Sequence, residues 1–179
     1  QLERDVDRLV RNDRIAWGSS MIACNDADAM VTGNIRHYAA SIEKLKKVVA
    51  PRPGEEIFGM TMMVSKGKTI LVADTNVQDF PSAERLVNVS ISCVRVARLF
   101  GFDPKVAFLS HSTFGKPVSK NTKHVRDAID LLKTKNVDFD FDGEMQPDVA
   151  LNEIYQEIYP FSKIVGKANI LVMPALHSA

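Results

Sequence analysis

Cysteine is nearly absent from this chain: of 179 residues only Cys24 and Cys93 carry a thiol. Two cysteines far apart in sequence, both in apolar surroundings, exclude a disulfide framework and read as reduced core thiols of a cytoplasmic protein, neither placed as a nucleophile. Net charge is nearly absent too. Lys plus Arg number 23 against 22 Asp plus Glu, which removes the electrostatic drive toward nucleic acid or a membrane surface. No apolar run reaches the ~18 residues of a membrane helix. The start, Gln1-Leu2-Glu3-Arg4-Asp5, has neither an initiator Met nor a signal-peptide core, so a piece of a longer soluble protein is expected. A Gly-rich dinucleotide fingerprint is missing, as is a phosphate loop ending in Gly-Lys-Ser or Gly-Lys-Thr, which argues against a nicotinamide or ATP site here.

Metal sites are equally hard to build. His37, His111, His124 and His177 include no pair at helical ligand spacing and none beside a Cys, so each reads as a surface or hydrogen-bonded residue. Asp138-Phe139-Asp140-Phe141-Asp142-Gly143 imitates the first half of an EF-hand loop, but the position that must supply a bidentate Glu is Val149. Alternating Asp and Phe instead describes a strand with two unlike faces.

The patterns that are present alternate between strand and helix. Leu2, Val6, Leu9 and Val10 share one helical face, and the stretch from Trp17 to Ile22 continues as a second helix. Ala29 to Thr32 reads as a short strand ending at Gly33, followed by a helix through Ile42, Leu45, Val48 and Val49 that Pro51 and Pro53 stop. Ile57 to Val64 and Thr69 to Ala73 flank Ser65-Lys66-Gly67-Lys68, the signature of an antiparallel hairpin. A long amphipathic helix begins near Pro81 and Glu84, runs through Leu86, Val89, Cys93, Val96 and Phe100, and ends at Gly101. Strand Val106 to Leu109, a helix through Val125, Ala128, Ile129 and Leu132, strand Phe139 to Phe141, helix Val149 to Ile158 and strand Ile170 to Met173 complete the order. This predicts a layered α/β fold with a mostly parallel sheet and one antiparallel hairpin. A chain of this length buries about 70% of its unfolded surface, enough for one core spread over two lobes, with residues 50–56 as the hinge.

One loop stands out chemically. Lys105-Val106-Ala107-Phe108-Leu109 opens into Ser110-His111-Ser112-Thr113-Phe114-Gly115, placing hydroxyls and a glycine where a parallel strand ends, a setting suited to a phosphate-bearing ligand. The same hydroxyls also suit turn capping. Lys44, Lys46, Lys47 and Arg52 form either a solvated face or an anion clamp. Lys167 in Gly166-Lys167-Ala168-Asn169 is a solvated turn residue or a ligand contact, and Asp142 and Glu144 either line a cleft or hold loop N–H groups.

Taken together, the blocks Ala27-Asp28-Ala29-Met30-Val31-Thr32-Gly33, Ala73-Asp74-Thr75, Pro81-Ser82-Ala83-Glu84, Phe100-Gly101, Pro104 to Ser110, Asp142-Gly143-Glu144-Met145-Gln146-Pro147-Asp148 and Val165 to Pro174 resemble the phosphate acetyl/butyryl transferase family. The resemblance runs from about Ala16 to the chain end. It implies an isocitrate dehydrogenase-like phosphotransacetylase fold over residues 1–179, incomplete at both ends, with coenzyme A and acyl phosphate meeting in a cleft. It implies acyl-CoA contacts at Ser110, His111, Ser112, Thr113, Gly115, Lys116 and Lys167, with Asp142 and Glu144 lining the cleft and no catalytic residue assigned.

Within that family the chain is most similar to the phosphotransacetylase-like C-terminal domain of hybrid NADP-dependent malic enzymes. Transferases carry His-Ser-Thr and then Leu-Arg-Pro where this chain has Arg36-His37-Tyr38 and Ile42-Glu43-Lys44. Replacing a phosphate-clamping Arg by Glu43 exchanges attraction for repulsion of about 4 kcal/mol at ~4 Å and an effective dielectric of about 20. Millimolar phosphate binding is itself worth only about 4 kcal/mol. The Ser-Arg segment credited with stabilising the reacting acyl group would lie beyond Ala179. The resemblance therefore implies a regulatory domain with acetyl-CoA as effector, with NADP and a divalent metal held by a separate malate-oxidising domain in the same chain, in a cytoplasmic homo-oligomer. An active acyltransferase and a structural oligomerisation module are the two alternatives.

Overall fold

In the computed structural model, residues 3–33, 35–74, 80–117 and 120–175 are described; Leu2, Thr75 and His177 of the sequence reading lie outside them. The chain divides into two compact units, residues 1–55 and 56–179.

The first unit is helical: α1 Glu3–Asn12, α2 Arg14–Ala23 and α3 Tyr38–Lys46. Asp13 separates the first two by capping α2, its Oδ1 accepting from Ile15 N at 2.9 Å and Ala16 N at 3.3 Å, which answers two of the amides a helix start leaves unpaired. Ile15, Ala16 and Ser19 are buried behind it. The strand expected over Ala29 to Thr32 does not form. That segment is irregular, and Val31 is 101% exposed. A β-rich run needs a neighbouring strand to take up its backbone groups, and none of the described strands pairs with it. Cys24 is exposed, contrary to the core thiol expected, because it follows the last turn of α2 outside the buried face.

The second unit is built on a five-stranded sheet in the order β1-β2-β5-β3-β4. The strands are β1 Met60–Ser65, β2 Lys68–Ala73, β3 Lys105–Leu109, β4 Asp140–Met145 and β5 Ile170–Val172. Only β1 with β2 is antiparallel, closed at Lys66-Gly67, both with positive φ; the other pairs are parallel. In β3 the two-residue alternation sends Val106 and Phe108 to one face and Ala107 and Leu109 to the other. Both sides are covered, which is why the strand is apolar throughout. On the first face lie α4 Ala83–Leu99 and α5 Lys123–Thr134, contributing Leu86, Val89, Cys93, Ala97, Val125, Ala128, Ile129 and Leu132. On the second lie Ala150 of α6 Pro147–Leu151, with Ile164 and Ala168. The expected helix from Val149 to Ile158 is broken into α6 and α7 Tyr155–Ile158; Asn152, extended at φ −129°, interrupts it.

Two features fix the frame around the strand ends. Buried Arg85, in the first turn of α4, donates to Asp74 Oδ2 at 3.0 Å and also to Glu56 and the Ile57 carbonyl, while Asp74 Oδ1 accepts from Gly59 N at 2.8 Å. This pins the segment entering β1 to the end of β2. Gly143, at φ +148°, lies so close to β3 that a Cβ there would sit 2.6 Å from the Phe108 carbonyl oxygen. Only glycine fits, and the β3–β4 register shifts beside it, between Phe108 and Leu109.

Candidate functional site

At the carboxyl ends of β3 and β5 opens a cleft of about 820 Å³ whose lining includes Ser110, His111, Lys120, Thr122, Lys123, His124 and Asp127. Its place follows from the topology: β3 and β5 are adjacent and parallel, and the chain leaving each must turn over the sheet edge. Leu109, Met173 and Pro174 form the apolar part of the wall.

Ser110 extends the β3–β4 ladder, its N–H donating to Met145 O at 2.9 Å. Behind it Ser112 is fully buried and donates through Oγ to Glu144 Oε1 at 2.7 Å. The same carboxylate oxygen accepts from the Arg126 guanidinium at 3.0 Å, and Arg126 also donates to Thr122 Oγ1 at 2.9 Å. Glu144 is 1% exposed. Its partners are therefore what makes a charge tolerable there, although Oε2 has no hydrogen bond among the described residues.

Beyond Ser112 the chain makes a tight turn. Thr113 and Lys116 exchange backbone hydrogen bonds at 2.8 and 3.1 Å around Phe114 at φ 48° and Gly115 at φ 84°, the geometry of a turn with two left-handed central residues. Gly115 is thus required by the turn itself. Thr113 Oγ1 accepts from Gln146 N at 3.2 Å, and Gln146 Nε2 donates to His111 O at 2.7 Å, tying the loop to the end of β4. Phe114 packs on Tyr159 and Phe161, ring centroids 5.3 and 4.9 Å away.

Of the residues singled out from sequence, Ser110 and His111 line the cleft; Ser112 and Glu144 stand behind its wall, and Thr113, Gly115 and Lys116 form the adjoining turn. Asp142 holds loop amides instead, accepting from Lys163 N at 2.7 Å and Gly143 N at 2.9 Å. Lys167 precedes the amino end of β5, at the opposite end of the sheet from Ser110, exposed and 3.6 Å from Glu153. Sequence reasoning missed Lys120, Thr122, Lys123, Arg126 and Asp127. The available signal was the density of cations from Lys116 to Arg126 just downstream of the loop. Lys123 pairs with Asp127 at 2.7 Å, and His124 Nε2 lies 2.9 Å from Pro174 O.

In the first unit, Asp13 Oδ2 accepts from Arg36 at 2.7 Å and from Lys44. Lys44 and Arg36 hold the Asp13 carboxyl far below the usual carboxylate range. Lys46 pairs with Glu43 at 3.2 Å. Burial pushes the Cys93 thiol up to about 12, so it is no nucleophile at neutral pH. Among the described residues no group of His, Cys, Asp or Glu could hold a metal ion, and no helix is long and apolar enough to cross a membrane.

A family profile described as phosphate acetyl/butaryl transferase matches residues 2–179. The chain belongs to that family. Among family relatives, the NADP-dependent malic enzyme of Rhizobium meliloti is 44% identical over 99% of this chain, which spans 23% of that enzyme. The phosphate acetyltransferase of Nitratidesulfovibrio vulgaris is 30% identical over 96% of this chain and 25% of its own length. The crystal structure of a phosphotransacetylase from Streptococcus pyogenes superposes with a TM-score of 0.84 at 29% identity, covering 98% of this chain and 54% of that one. The phosphotransacetylase-like fold, with its mostly parallel sheet and single antiparallel hairpin, is thereby the fold of this chain.

Proposed function

We propose that this chain is the acetyl-CoA-binding regulatory domain of an NADP-dependent malic enzyme, in which occupancy of the cleft at Ser110 changes the rate of malate oxidation elsewhere in the protein. The observation that carries the reading is the 44% identity to a malic enzyme across 99% of this chain, while the chain spans 23% of that enzyme. NADP and a divalent metal belong, in this reading, to the remaining portion. The chemistry of the cleft supports a thioester with a phosphorylated tail: Lys120 and Lys123 offer cationic groups beside an apolar wall of Leu109 and Met173. The engagement of Arg36 and Lys44 by the largely buried Asp13 carboxylate supports sensing over transfer, since those two cations already serve an internal partner. The residues 50–56 act as the hinge between the two units. Self-association in the cytoplasm completes the proposal; β1, an edge strand with Met63 56% and Val64 69% exposed, is the kind of surface that association covers.

The test is to titrate acetyl-CoA into the intact protein while following both its melting temperature and malate oxidation. At 100 times the dissociation constant a ligand stabilises by about 2.7 kcal/mol, and a regulatory coupling of about 1 to 3 kcal/mol corresponds to about a 5- to 150-fold change in affinity at the coupled site. Absence of both responses overturns the proposal. The 30% identity to a phosphate acetyltransferase favours a second reading, transfer of an acetyl or butyryl group between phosphate and coenzyme A. Sustained turnover of acetyl phosphate and coenzyme A by the intact protein would establish it.

A further inference from the structure

We infer that Ser110 is a hydrogen-bond acceptor toward the cleft, so that the ligand seated there presents an N–H or O–H group to it and not an oxyanion. A serine hydroxyl has one proton to give and two lone pairs to offer. Glu144 Oε1 also receives the Arg126 guanidinium at 3.0 Å, which makes it an acceptor. At 2.7 Å from that oxygen, Ser112 therefore gives its own proton to Glu144. Turning that proton elsewhere would leave a carboxylate that is 1% exposed supported by Arg126 alone, with Oε2 unpartnered among the described residues, a costly arrangement. Ser112 Oγ is then left as an acceptor, and in its contact with Ser110 Oγ, 3.2 Å away, Ser110 is the donor. While its proton is directed at Ser112, and with one lone pair facing the Ser112 N–H at 3.3 Å, Ser110 has one lone pair for the cleft it lines.

The consequence is selectivity of a definite kind. An oxygen lone pair repels a phosphate oxygen and attracts an amide N–H or an alcohol, so the phosphate-bearing part of any ligand belongs toward Lys120 and Lys123, and a neutral donor belongs at Ser110. Ser112, buried and out of contact with the cleft, acts as a positioning residue. Only the choice of an amide-bearing ligand rests on the thioester reading given above; the polarity of the relay does not.

Two measurements test it. In a neutron structure of the unliganded protein after deuterium exchange, the deuteron on Ser110 Oγ is expected to point at Ser112 Oγ; a deuteron directed into the cleft overturns the inference. In solution, pantetheine and inorganic phosphate serve as probes. Ser110→Ala weakens pantetheine binding by about 2- to 12-fold, the fold-change of one neutral hydrogen bond. Ser112→Ala releases the Ser110 proton, so phosphate binds about threefold or more tightly while pantetheine changes less. Unchanged pantetheine affinity in Ser110→Ala, or unchanged phosphate affinity in Ser112→Ala, overturns it. A wild-type protein that binds neither acetyl-CoA nor pantetheine removes the thioester reading, and the deuteron position then decides the relay by itself.

Discussion

Replacing Arg126 by Met removes one half of the ion pair behind the cleft wall. The Glu144 side chain is 0% exposed and the Arg126 side chain 35% exposed, so the substitution leaves a buried carboxylate without its cation. Breaking a buried pair at one end costs about 3–5 kcal/mol, and partial solvent access puts this case at the lower end, about 3 kcal/mol. With a urea dependence of about 1–3 kcal/mol per molar, the unfolding midpoint falls by about 1–3 M. The decisive comparison is the double variant Arg126→Met with Glu144→Gln. If the loss comes from the uncompensated charge, removing the charge returns stability to within about 1 kcal/mol of wild type. The pair is measured by urea unfolding of the four proteins of the cycle at neutral pH. A loss below about 0.5 kcal/mol for Arg126→Met, or a double variant as unstable as the sum of the two singles, refutes the reasoning.

Three further outcomes are expected. The folded-state pKa of Asp13 is depressed by Lys44 and Arg36, so its contribution is fully present above the unfolded value of about 4 and is lost as pH falls through the folded one. The stability gap between wild type and Asp13→Asn, read from unfolding curves at descending pH, is therefore constant above about pH 5 and closes below about pH 4; a gap that widens with acid contradicts the pairing. Gly143→Ala places a Cβ 2.6 Å from the Phe108 carbonyl oxygen and is expected to destabilise by about 2 kcal/mol or more, measured by thermal unfolding. In a thiol-labelling time course at neutral pH, exposed Cys24 reacts at once, whereas Cys93, buried and raised to about 12, reacts only on unfolding; simultaneous labelling would show that α4 does not shield it.

Local chemistry made much of the fold legible. The hairpin at Ser65-Lys66-Gly67-Lys68 was readable because a tight connection needs residues that accept positive φ, and Lys66 and Gly67 do so. Helix α4 was readable at both ends, from Pro81 and Glu84 to Gly101 at φ 78°; the structure adds the cap, Ser82, whose Oγ accepts from Arg85 N at 3.2 Å. The segment from Ala29 to Thr32 was misread because strand propensity says nothing about whether a partner strand is within reach. Cys24 was misread for a similar reason: an apolar neighbourhood in sequence does not say which side of a helix end faces the core.

The site divides along the same line. By itself the sequence determined that a hydroxyl-rich loop follows a doubly buried strand, that Gly143 and Glu144 sit one helix later, and that the chain carries family blocks spaced along its length, since each of these is a property of contiguous residues. Only the tertiary structure decided that Ser112, Arg126 and Glu144, separated by 14 and 18 positions in the chain, share one carboxylate oxygen. It decided equally that Lys167 lies at the other end of the sheet from Ser110. Strand order and register set those distances, and they arise from how buried faces pair in three dimensions, which no local pattern of side chains encodes.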